Sequence, residues 1–527
     1  MTDILVQLGN GFLACLHPTT MLMLVVGIIV GLLVGVLPGL TLVMGVVLFL
    51  PFTYKMQVTD AIVLLSAMYV SGTYGGAFTS ILFRIPGEPI HVPLLWDGYA
   101  MARKGKPAQA LGWTLIAAFV GGLLSAVAMV LLTKPVASFA LRFSSPEYFA
   151  ILVFGLTSVI ALGSGSLANA LISLALGLLI ASVGTDAIYG AERFTFGMPI
   201  FADGIEFLVV MVGAYGVGEV LTRLERGFSS KPLAAVATTK TKLPSLGEIG
   251  AVKSMLLRST VIGHIVGLIP GAGATVAAFV SYGVEKQFGR KRAEMGSGVV
   301  EGIVAPQSAA TASVGGALIP LLALGIPGSG ATAVILGAFM LHGIQPGPQI
   351  MATSSAMVYT IFASIFIGIA VMCLMGYFAI RPLVKILDFP ESIVSAFVML
   401  FCFVGALAIR SNVTDLWLMI GFGALGYLFE RYGFPIAPLV LGVILGPLAE
   451  ESFMNSMISF SNDWTVFFTR PISGTVMALA ILTLSLPIIG LIRNRRKPGA
   501  SLAAAPAAAA EPNKAAPATA APRAVRP

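Results

Sequence analysis

The sequence predicts an all-α polytopic membrane protein with about 10–14 transmembrane helices in two inverted repeats, each with broken or re-entrant Pro-Gly helices. Of the 527 residues, 57% are hydrophobic and 10% are charged, with a mean hydropathy of +0.95. Apolar runs of roughly 20 residues, the length that spans a membrane, recur along the whole chain. In each half, two Pro-Gly pairs interrupt these runs, because proline removes a backbone donor and glycine permits unusual backbone angles.

Charge and cysteine content exclude several classes of protein. We assign the net charge of +8 to loop lysines and arginines that set membrane orientation, and not to a nucleic-acid surface. Cys15, Cys373 and Cys402 lie in or beside apolar runs without metal-ligand spacing, so we expect neither a metal site nor a cofactor. The N-terminus has no basic segment before its first apolar run, and we expect no cleaved signal peptide.

Composition divides the chain into four segments. The stretch over 223–253 is polar and basic between apolar runs, which predicts a cytoplasmic linker. The C-terminus is rich in alanine and proline without apolar periodicity, which predicts disorder. The segments are a first transmembrane repeat over 1–222, the linker over 223–253, a second transmembrane repeat with extra helices over 254–492, and a cytoplasmic tail over 493–527.

Each half is expected to start with an interrupted helix. After a short lead over 1–18, an apolar helix over 20–37 meets Pro38-Gly39 and resumes over 41–53. A long helix over 60–83 then leads to the second break, Arg84-Ile-Pro-Gly-Glu-Pro89. Further spans are predicted over 110–133, 147–163, 168–184 and 205–222, and after the second repeat over 353–379, 392–409, 414–430, 434–448 and 472–492.

The paired breaks form an internal repeat with nearly constant spacing, which indicates duplication. Gly31, Gly35, Pro38 and Gly39 recur 232 residues later as Gly263, Gly267, Pro270 and Gly271, Gly75-Gly-Ala77 recurs 240 residues later, and Ile85-Pro-Gly87 recurs 241 residues later. If each first break is a hairpin, five crossings separate the repeats, and this odd number inverts the second copy. The basic loops then place the N-terminus in the periplasm and the C-terminus in the cytoplasm.

The first breaks are the leading candidates for a binding site. A helix that restarts inside a membrane exposes backbone N–H groups at its positive end, and a bound anion satisfies them. The alternative is that the breaks are kinks that serve only helix packing. The predicted substrate-binding residues at these breaks are Gly39, Leu40 and Thr41 in the first half and Gly271, Ala272, Gly273 and Thr275 in the second.

The second breaks add polar side chains. Arg84 has the planar charge that pairs with a carboxylate; its alternatives are an ion pair with Glu88 or a position at the membrane boundary. Ser329 and Thr332 either cap the resuming helix or bind a cation. The predicted residues here are Arg84, Gly87, Gly328 and Ser329 for the substrate, with Thr332 as an ion-coupling candidate.

Two further ion-coupling candidates precede the second break of the second half. An acid at membrane depth is costly, so Glu301 is a functional candidate, unless it lies at the boundary beside the basic residues of 286–292. Thr311 follows it at a predicted kink around Pro306. His264 is expected to be a buried, hydrogen-bonded histidine rather than a proton relay.

Enzymatic functions find little support. Gly163-Ser-Gly-Ser166 has no histidine placed to act with it, and the aspartates fall in loops or at span ends. These patterns argue against membrane serine and aspartyl proteases. The chain also has no phosphate-binding loop of the Walker type, so ATP is not an evident energy source.

Several motifs in order resemble the large membrane subunit of tripartite tricarboxylate transporters. In the first half these are Gly-Val-Leu-Pro-Gly at 35–39, Tyr74-Gly-Gly76, Ile-Pro-Gly at 85–87 and Asp97-Gly-Tyr99. In the second half they are Gly-Leu-Ile-Pro-Gly-Ala-Gly at 267–273, Glu301-Gly, Ala305-Pro306, Gly315-Gly-Ala-Leu-Ile-Pro320 and Leu324-Gly-Ile-Pro-Gly-Ser329. The resemblance covers about residues 15–490.

The resemblance implies a secondary carrier of the bacterial inner membrane. Such a carrier works with a periplasmic solute-binding protein and a small four-helix membrane subunit, and an ion gradient drives it. Around the breaks this chain departs from the family pattern at Leu40-Thr-Leu-Val43, Arg84-Ile85 and Gln307-Ser-Ala-Ala-Thr311. These changes remove an acid and two amides and add an arginine, which favours a carboxylate other than citrate or another organic anion.

We therefore expect ion-coupled import of a small organic dicarboxylate or tricarboxylate, with Na⁺ or H⁺ as the coupling cation. The substrate would arrive from a binding protein and bind between the paired breaks near the middle of the bilayer. The first alternative is an anion exporter or channel of the same fold that needs no binding protein. A membrane-embedded hydrolase is the second alternative.

Overall fold

A computed structural model describes residues 2–37, 40–162, 166–186, 188–227, 241–378, 391–410 and 412–495. Its helices are α1 (Thr2–Cys15), α2 (Pro18–Val36), α3 (Leu42–Phe49), α4 (Val58–Gly75), α5 (Ala77–Phe83), α6 (Val92–Arg103), α7 (Pro107–Ala140), α8 (Ser145–Leu162), α9 (Leu167–Ala181), α10 (Phe207–Met211), α11 (Gly218–Arg226), α12 (Leu246–Leu268), α13 (Gly273–Phe288), α14 (Glu301–Leu324), α15 (Gly330–Leu341), α16 (Ile350–Thr353), α17 (Ser355–Phe378), α18 (Glu391–Arg410), α19 (Val413–Arg431), α20 (Ile436–Ser459), α21 (Val466–Thr469) and α22 (Pro471–Arg495).

The predicted all-α polytopic membrane fold is confirmed. Within the described ranges, nine helical segments are long and apolar enough to cross a membrane. Seven shorter apolar helices of 10–17 residues accompany them in the same ranges. Short 3₁₀ turns extend α3 over Leu50–Lys55 and precede α6 over Pro89–His91, and a π-helical turn over Val212–Val217 joins α10 to α11.

Three local features differ from the expectations. Helix α12 starts at Leu246, inside the predicted linker, because Ser245 and Glu248 form a reciprocal capping box. Helix α14 begins at Glu301 and continues through Pro306, so this helix starts before Pro306 and not after a kink at it. An unexpected antiparallel pair joins Gly184–Thr185 to Glu192–Arg193.

Glycines determine how the long helices of each half pack. A Cβ on Gly31 of α2 would lie 2.5 Å from the Met68 carbonyl oxygen of α4, and a Cβ on Gly75 would lie 2.7 Å from the Leu32 carbonyl oxygen. Only glycine permits backbones to approach so closely. Helices α2 and α4 therefore pack closely against each other over several turns.

The second half contains the same contacts between α12 and α14. A Cβ on Gly263, which is 232 residues after Gly31, would lie 2.5 Å from the Cα of Ala309, which is 241 residues after Met68. A Cβ on Gly316 would overlap the His264 carbonyl oxygen, as one on Gly75 would approach Leu32. The two halves thus use matching positions to pack matching helices.

These contacts correct one alignment within the repeat. Gly75 corresponds to Gly316, 241 residues later, and not to Gly315 as the sequence pattern indicated. The same spacing of 241 residues relates Gly87 to Gly328, so no residue is inserted between the Gly-Gly pair and the second break. The sequence alone could not decide this alignment, because adjacent small residues match equally well in either register. The backbone contacts are compatible with only one register.

We predict that Gly263→Ala destabilises the protein by about 1–3 kcal/mol, since its new methyl group would meet the Ala309 backbone, which cannot move aside. Gly283→Ala is the matched control, because Gly283 of α13 has no atom within 4 Å of the added Cβ. Thermal unfolding in detergent measures both. Equal melting temperatures for the two variants would show that the close α12–α14 approach does not stabilise the fold.

Candidate functional site

The first break of the second half lies between α12 and α13. Pro270 cannot continue α12, and Gly271 and Gly273 adopt φ angles of +80° and +61°, which favour glycine. The Gly271 N–H donates to the Gly328 carbonyl at 3.1 Å, and the Ala272 N–H donates to the Ile269 carbonyl at 3.2 Å. Two of the amides expected to face a ligand are therefore already hydrogen-bonded.

The remaining amides of this break form the first turn of α13. They belong to Gly273, Ala274 and Thr275, and no preceding carbonyl of the helix can accept from them. They lie at the positive end of the helix. The predicted anion site of the second half therefore starts at Gly273 and does not include the amides of Gly271 and Ala272.

The first break of the first half shares one hydrogen bond with its counterpart. The Leu40 N–H donates to the Leu37 carbonyl at 3.2 Å, which matches the bond between Ala272 and Ile269. Thr41 is the N-cap of α3, and its hydroxyl accepts from the Met44 N–H at 3.2 Å. Pro38 and the predicted site residue Gly39 lie outside the described residues.

The second breaks also match each other. Arg84 and Gly325 end their helices with φ angles of +60° and +73°. The Ile85 N–H donates to the Thr79 carbonyl at 3.3 Å, and the Ile326 N–H donates to the Pro320 carbonyl at 3.1 Å. Each break therefore uses the same left-handed turn, but the first half places an arginine where the second has glycine.

Each second break is held against the helix that precedes the first break. A Cβ on Gly328 would lie 2.6 Å from the Gly267 carbonyl oxygen, and one on Gly87 would overlap the Gly35 carbonyl oxygen. Glycine is required at both positions. The role we can assign to Gly87 and Gly328 is thus to bring the two breaks of each half together.

The hydroxyls of Ser329 and Thr332 cap helix α15. The Ser329 N–H donates to the Thr332 Oγ1 at 2.8 Å, and the Thr332 N–H donates to the Ser329 Oγ at 3.2 Å. The Ser329 hydroxyl also donates to the Tyr69 hydroxyl on α4 at 3.0 Å. Capping is therefore the observed use of these hydroxyls, and Ser329 links the second half to the first.

The helix starts of the two halves converge around Ser329. A Cβ on Gly273 would lie 3.4 Å from the Ser329 Cβ, and a Cβ on Gly330 would lie 3.0 Å from the Val43 Cγ2. Because Val43 belongs to the first turn of α3, this group joins the first turns of α3, α13 and α15. The structure thus brings Thr41, Gly271, Gly273, Gly328 and Ser329 into one continuous region.

Glu88 belongs to this region, and the sequence analysis did not identify it as a site residue. It follows Gly87 directly, at the position that Ser329 holds after Gly328. Its Oε1 atom is buried and has no hydrogen-bond partner within the described part of the chain. Glu88 is 241 residues before Ser329, so the repeat itself was the signal that could have identified it.

Arg84 lies apart from the helix starts. The described residues contain no ion pair between Arg84 and Glu88; instead, the guanidinium lies 5.8 Å from the centre of the Tyr99 ring. It lines a cavity of about 540 Å³ together with Arg103 and Lys286. Trp96, Tyr99 and Tyr282 add aromatic side chains to the lining, and none of the lining residues is acidic.

A second cavity occupies the matching place in the other half. It has a volume of about 310 Å³ and is lined by Gly325, Leu336 and Met340, with the loop over 345–349. These three residues lie 241 positions after Arg84, Leu95 and Tyr99, which line the first cavity. Each second break therefore lines a cavity. Of these two cavities, only the one at Arg84 is lined by basic residues.

The other ion-coupling candidates are not gathered at the helix starts. Glu301 forms an ion pair with Lys291 at 3.2 Å, as the boundary alternative anticipated. Thr311 accepts a hydrogen bond from the Gln307 amide at 3.1 Å, and the same amide donates to the Thr73 carbonyl. His264 is hydrogen-bonded to Ser125 at 2.7 Å, and no metal-binding cluster of His, Cys, Asp or Glu occurs among the described residues.

The chain matches the family model described as "Tripartite tricarboxylate transporter TctA family" over residues 21–441. The chain belongs to the tripartite tricarboxylate transporter TctA family. The predicted family is thus confirmed, and TctA proteins are transporters. The match includes both Pro-Gly breaks of each half.

Two curated relatives of this TctA protein come from Agrobacterium vitis. An uncharacterised 52.8 kDa protein in the TAR-I ttuC′ 3′ region is 36% identical over 496 residues, which cover 94% of this chain and 98% of the relative. An uncharacterised protein in the TAR-II ttuC′ 3′ region is 38% identical over 234 residues, which cover 44% of this chain and 97% of the relative. No solved structure matches the chain.

We predict that Arg84→Gly is more stable than Arg84→Ala by about 1 kcal/mol, because only glycine adopts the left-handed conformation without a steric cost. Lys104, with a φ of −78°, is the control position. At Lys104 the alanine variant should be at least as stable as the glycine variant. Chemical unfolding in detergent measures the difference, and a more stable Arg84→Ala would contradict the assigned backbone geometry.

Proposed function

We propose that this chain imports a small organic dicarboxylate or tricarboxylate across the bacterial inner membrane. It would act as the large membrane subunit of a tripartite system, with a periplasmic solute-binding protein and a small four-helix membrane subunit. A gradient of Na⁺ or H⁺ would supply the energy. The proposed orientation has the N-terminus in the periplasm and the C-terminus in the cytoplasm, because the basic loops then lie in the cytoplasm.

The observation that carries this proposal is the convergence of the first turns of α3 and α13 beside Ser329. A helix start carries about half a unit of positive charge, so two of them favour a small dianion. The candidate amides are those of the first turn of α13, from Gly273 to Thr275, and that of Leu42 at the first position of α3. Both restarting helices lie between spans that cross the membrane, where water cannot replace the missing partner.

The basic cavity supports an anionic substrate. The cavity is lined by Arg84, Arg103 and Lys286 and by no acidic residue. It therefore attracts anions to the second break of the first half. We assign it to the passage between the helix starts and the cytoplasm. The cavity at Gly325, which is lined by Glu451 and by no basic residue, would be the periplasmic passage, where a binding protein delivers the substrate.

The test deletes one backbone amide. Leu42→Pro removes the N–H at the first position of α3, where proline is well tolerated, and Thr41 before it already has the extended backbone that proline requires. Leu42→Val is the control, since it shortens the side chain and retains the N–H. We expect Leu42→Pro to lower uptake of labelled succinate or citrate at least tenfold relative to Leu42→Val.

Uptake is measured in cells that express the full chain with its binding protein and small subunit. Equal uptake by the two Leu42 variants, at equal amounts of folded protein, would reject the amide site. Omission of the binding protein should abolish uptake. Transport that persists without it would instead indicate the exporter or channel alternative.

A further inference from the structure

We propose that the cavity lined by Arg84, Arg103 and Lys286 is an anion-binding site of its own, which holds one small dicarboxylate or tricarboxylate independently of the helix starts. The inference rests on the proposed function, because this cavity is assigned to the passage through which the same anion leaves. It adds two things to that function, which are a second bound anion per chain and a binding role for Arg103 and Lys286.

The cavity is large enough for a small organic anion. Its volume of about 540 Å³ falls within the range of about 300–1,000 Å³ that small-molecule sites occupy. Its lining combines three cations with the aromatic side chains of Trp96, Tyr99 and Tyr282. Charged groups set beside aromatic walls are typical of a binding site rather than of a water-filled channel.

The three cations of this cavity have no carboxylate partner. Among the described residues, no ion pair includes Arg84, Arg103 or Lys286. Elsewhere in the same ranges arginines do pair, as Arg193 does with Glu450 at 2.6 Å. Cations that line one cavity without a counter-charge concentrate the positive field there, and a bound anion compensates it.

Three acidic residues near this cavity have other partners. Asp97 is buried and accepts four hydrogen-bond donors, as described below. Glu285, which directly precedes the cavity lysine, is buried and paired with Arg258. Glu301 pairs with Lys291 at 3.2 Å. The positive charge of the cavity is thus left for an anion from outside the chain.

Asp97 fixes two sides of the cavity relative to each other. Its carboxylate, on α6, accepts from three amides of the loop over 296–299 and from the Tyr282 hydroxyl on α13, at 2.8–3.0 Å. This side chain therefore joins the helix that carries Arg103 to the helix that carries Lys286. A cavity whose walls are held in place before the ligand arrives binds it at a lower entropic cost.

The lining also indicates the class of ligand. The guanidinium groups of Arg84 and Arg103 offer planar pairs of donors that match the two oxygens of a carboxylate, and the Lys286 ammonium adds a third charge. Three cations on different elements suit an anion with two or three carboxylates better than a monoanion. A lipid phosphate offers similar oxygen acceptors, and the experiment below separates these two sources.

The position of Arg84 favours the transported anion over a lipid. Arg84 directly precedes the Ile85-Pro-Gly87 break, and a Cβ on Gly87 would overlap the Gly35 carbonyl oxygen on α2, close to the first break. The cavity is therefore continuous along the chain with the segment that packs beside the helix starts. An anion that leaves those helix starts meets this cavity next.

The repeat shows that only one half has such a site. Arg84 and Arg103 correspond to Gly325 and Ile344, which lie 241 residues later and carry no charge. The cavity at Gly325 is lined by Glu451 and by no basic residue. We therefore expect one cavity site per chain, on the side of Arg84.

The experiment counts the anions bound per chain. Equilibrium dialysis of the full-length protein in detergent, against labelled succinate and against labelled citrate, gives the number of sites and their dissociation constants. Wild type should bind two anions per chain at low ionic strength. Added salt should weaken the cavity site, because its cations are exposed to solvent.

Arg103→Gln combined with Lys286→Gln should raise the dissociation constant of the cavity site at least tenfold and keep the other site. Lys104→Gln combined with Lys253→Gln is the matched control, because it removes the same charge from exposed positions that line neither cavity. This control should bind two anions as wild type does. Leu42→Pro should lose the helix-start site and keep the cavity site.

Three results would overturn the inference. They are a wild type that binds neither probe, anion binding that the Arg103 and Lys286 changes leave unaltered, and a cavity site that disappears when phosphatidylglycerol but not phosphatidylcholine is added. The third would mean that a lipid phosphate fills the cavity.

Failure of the helix-start site gives a different result. Wild type would then bind a single anion, which the combined Arg103 and Lys286 changes abolish and Leu42→Pro leaves unaltered. That outcome would support the cavity site and reject the helix starts. Binding that only Leu42→Pro abolishes would reject the cavity site and leave the proposed function intact.

Discussion

Every backbone N–H and carbonyl inside a membrane must have a hydrogen-bond partner, and the rest of this structure depends on how the broken helices meet that requirement. Most of the groups freed by the breaks are satisfied locally. Gly271 donates to Gly328, Leu40 donates to Leu37, and Thr41 caps α3. The first amides of α13 and α3 have no carbonyl partner within their own helices. These few groups define where an anion is stable.

Close glycine packing holds those groups in place. The α2–α4 and α12–α14 pairs approach so closely that a methyl group would overlap the facing backbone. The same glycine contacts hold Gly87 and Gly328 against the helices that lead into the first breaks. A shift between the paired helices would therefore move the helix starts themselves. Packing and binding are coupled because the same backbone atoms serve both.

Some of this architecture could be predicted from the sequence, because the signals were local. Apolar run length predicted the polytopic fold, and Pro-Gly pairs predicted where α12 and α14 end. The capping box at Ser245 was also a local signal, although the basic composition around it concealed the start of α12. The correct register of Gly75 with Gly316 could not be predicted, because neighbouring small residues align equally well one position apart.

The site itself was only partly predictable. Ser329 and Thr332 have hydroxyls that suit capping and cation binding equally, and only hydrogen-bond distances decide between these uses. An ion pair between Arg84 and Glu88 was an alternative because they are four positions apart, yet Arg84 adopts a left-handed turn and its guanidinium lies beside Tyr99. The hydrogen bond between Ser329 and Tyr69 joins residues 260 positions apart, which no local pattern contains.

The central claim is that an anion binds at the converging helix starts, and locating a heavy-atom substrate tests it most directly. The measurement is a structure of the full-length protein with bromosuccinate, in which the bromine is located by anomalous scattering. The bromine should lie beside the first turns of α3 and α13, next to Ser329. A bromine found only in the cavity lined by Arg84 and Arg103, with the helix starts unoccupied, would contradict it.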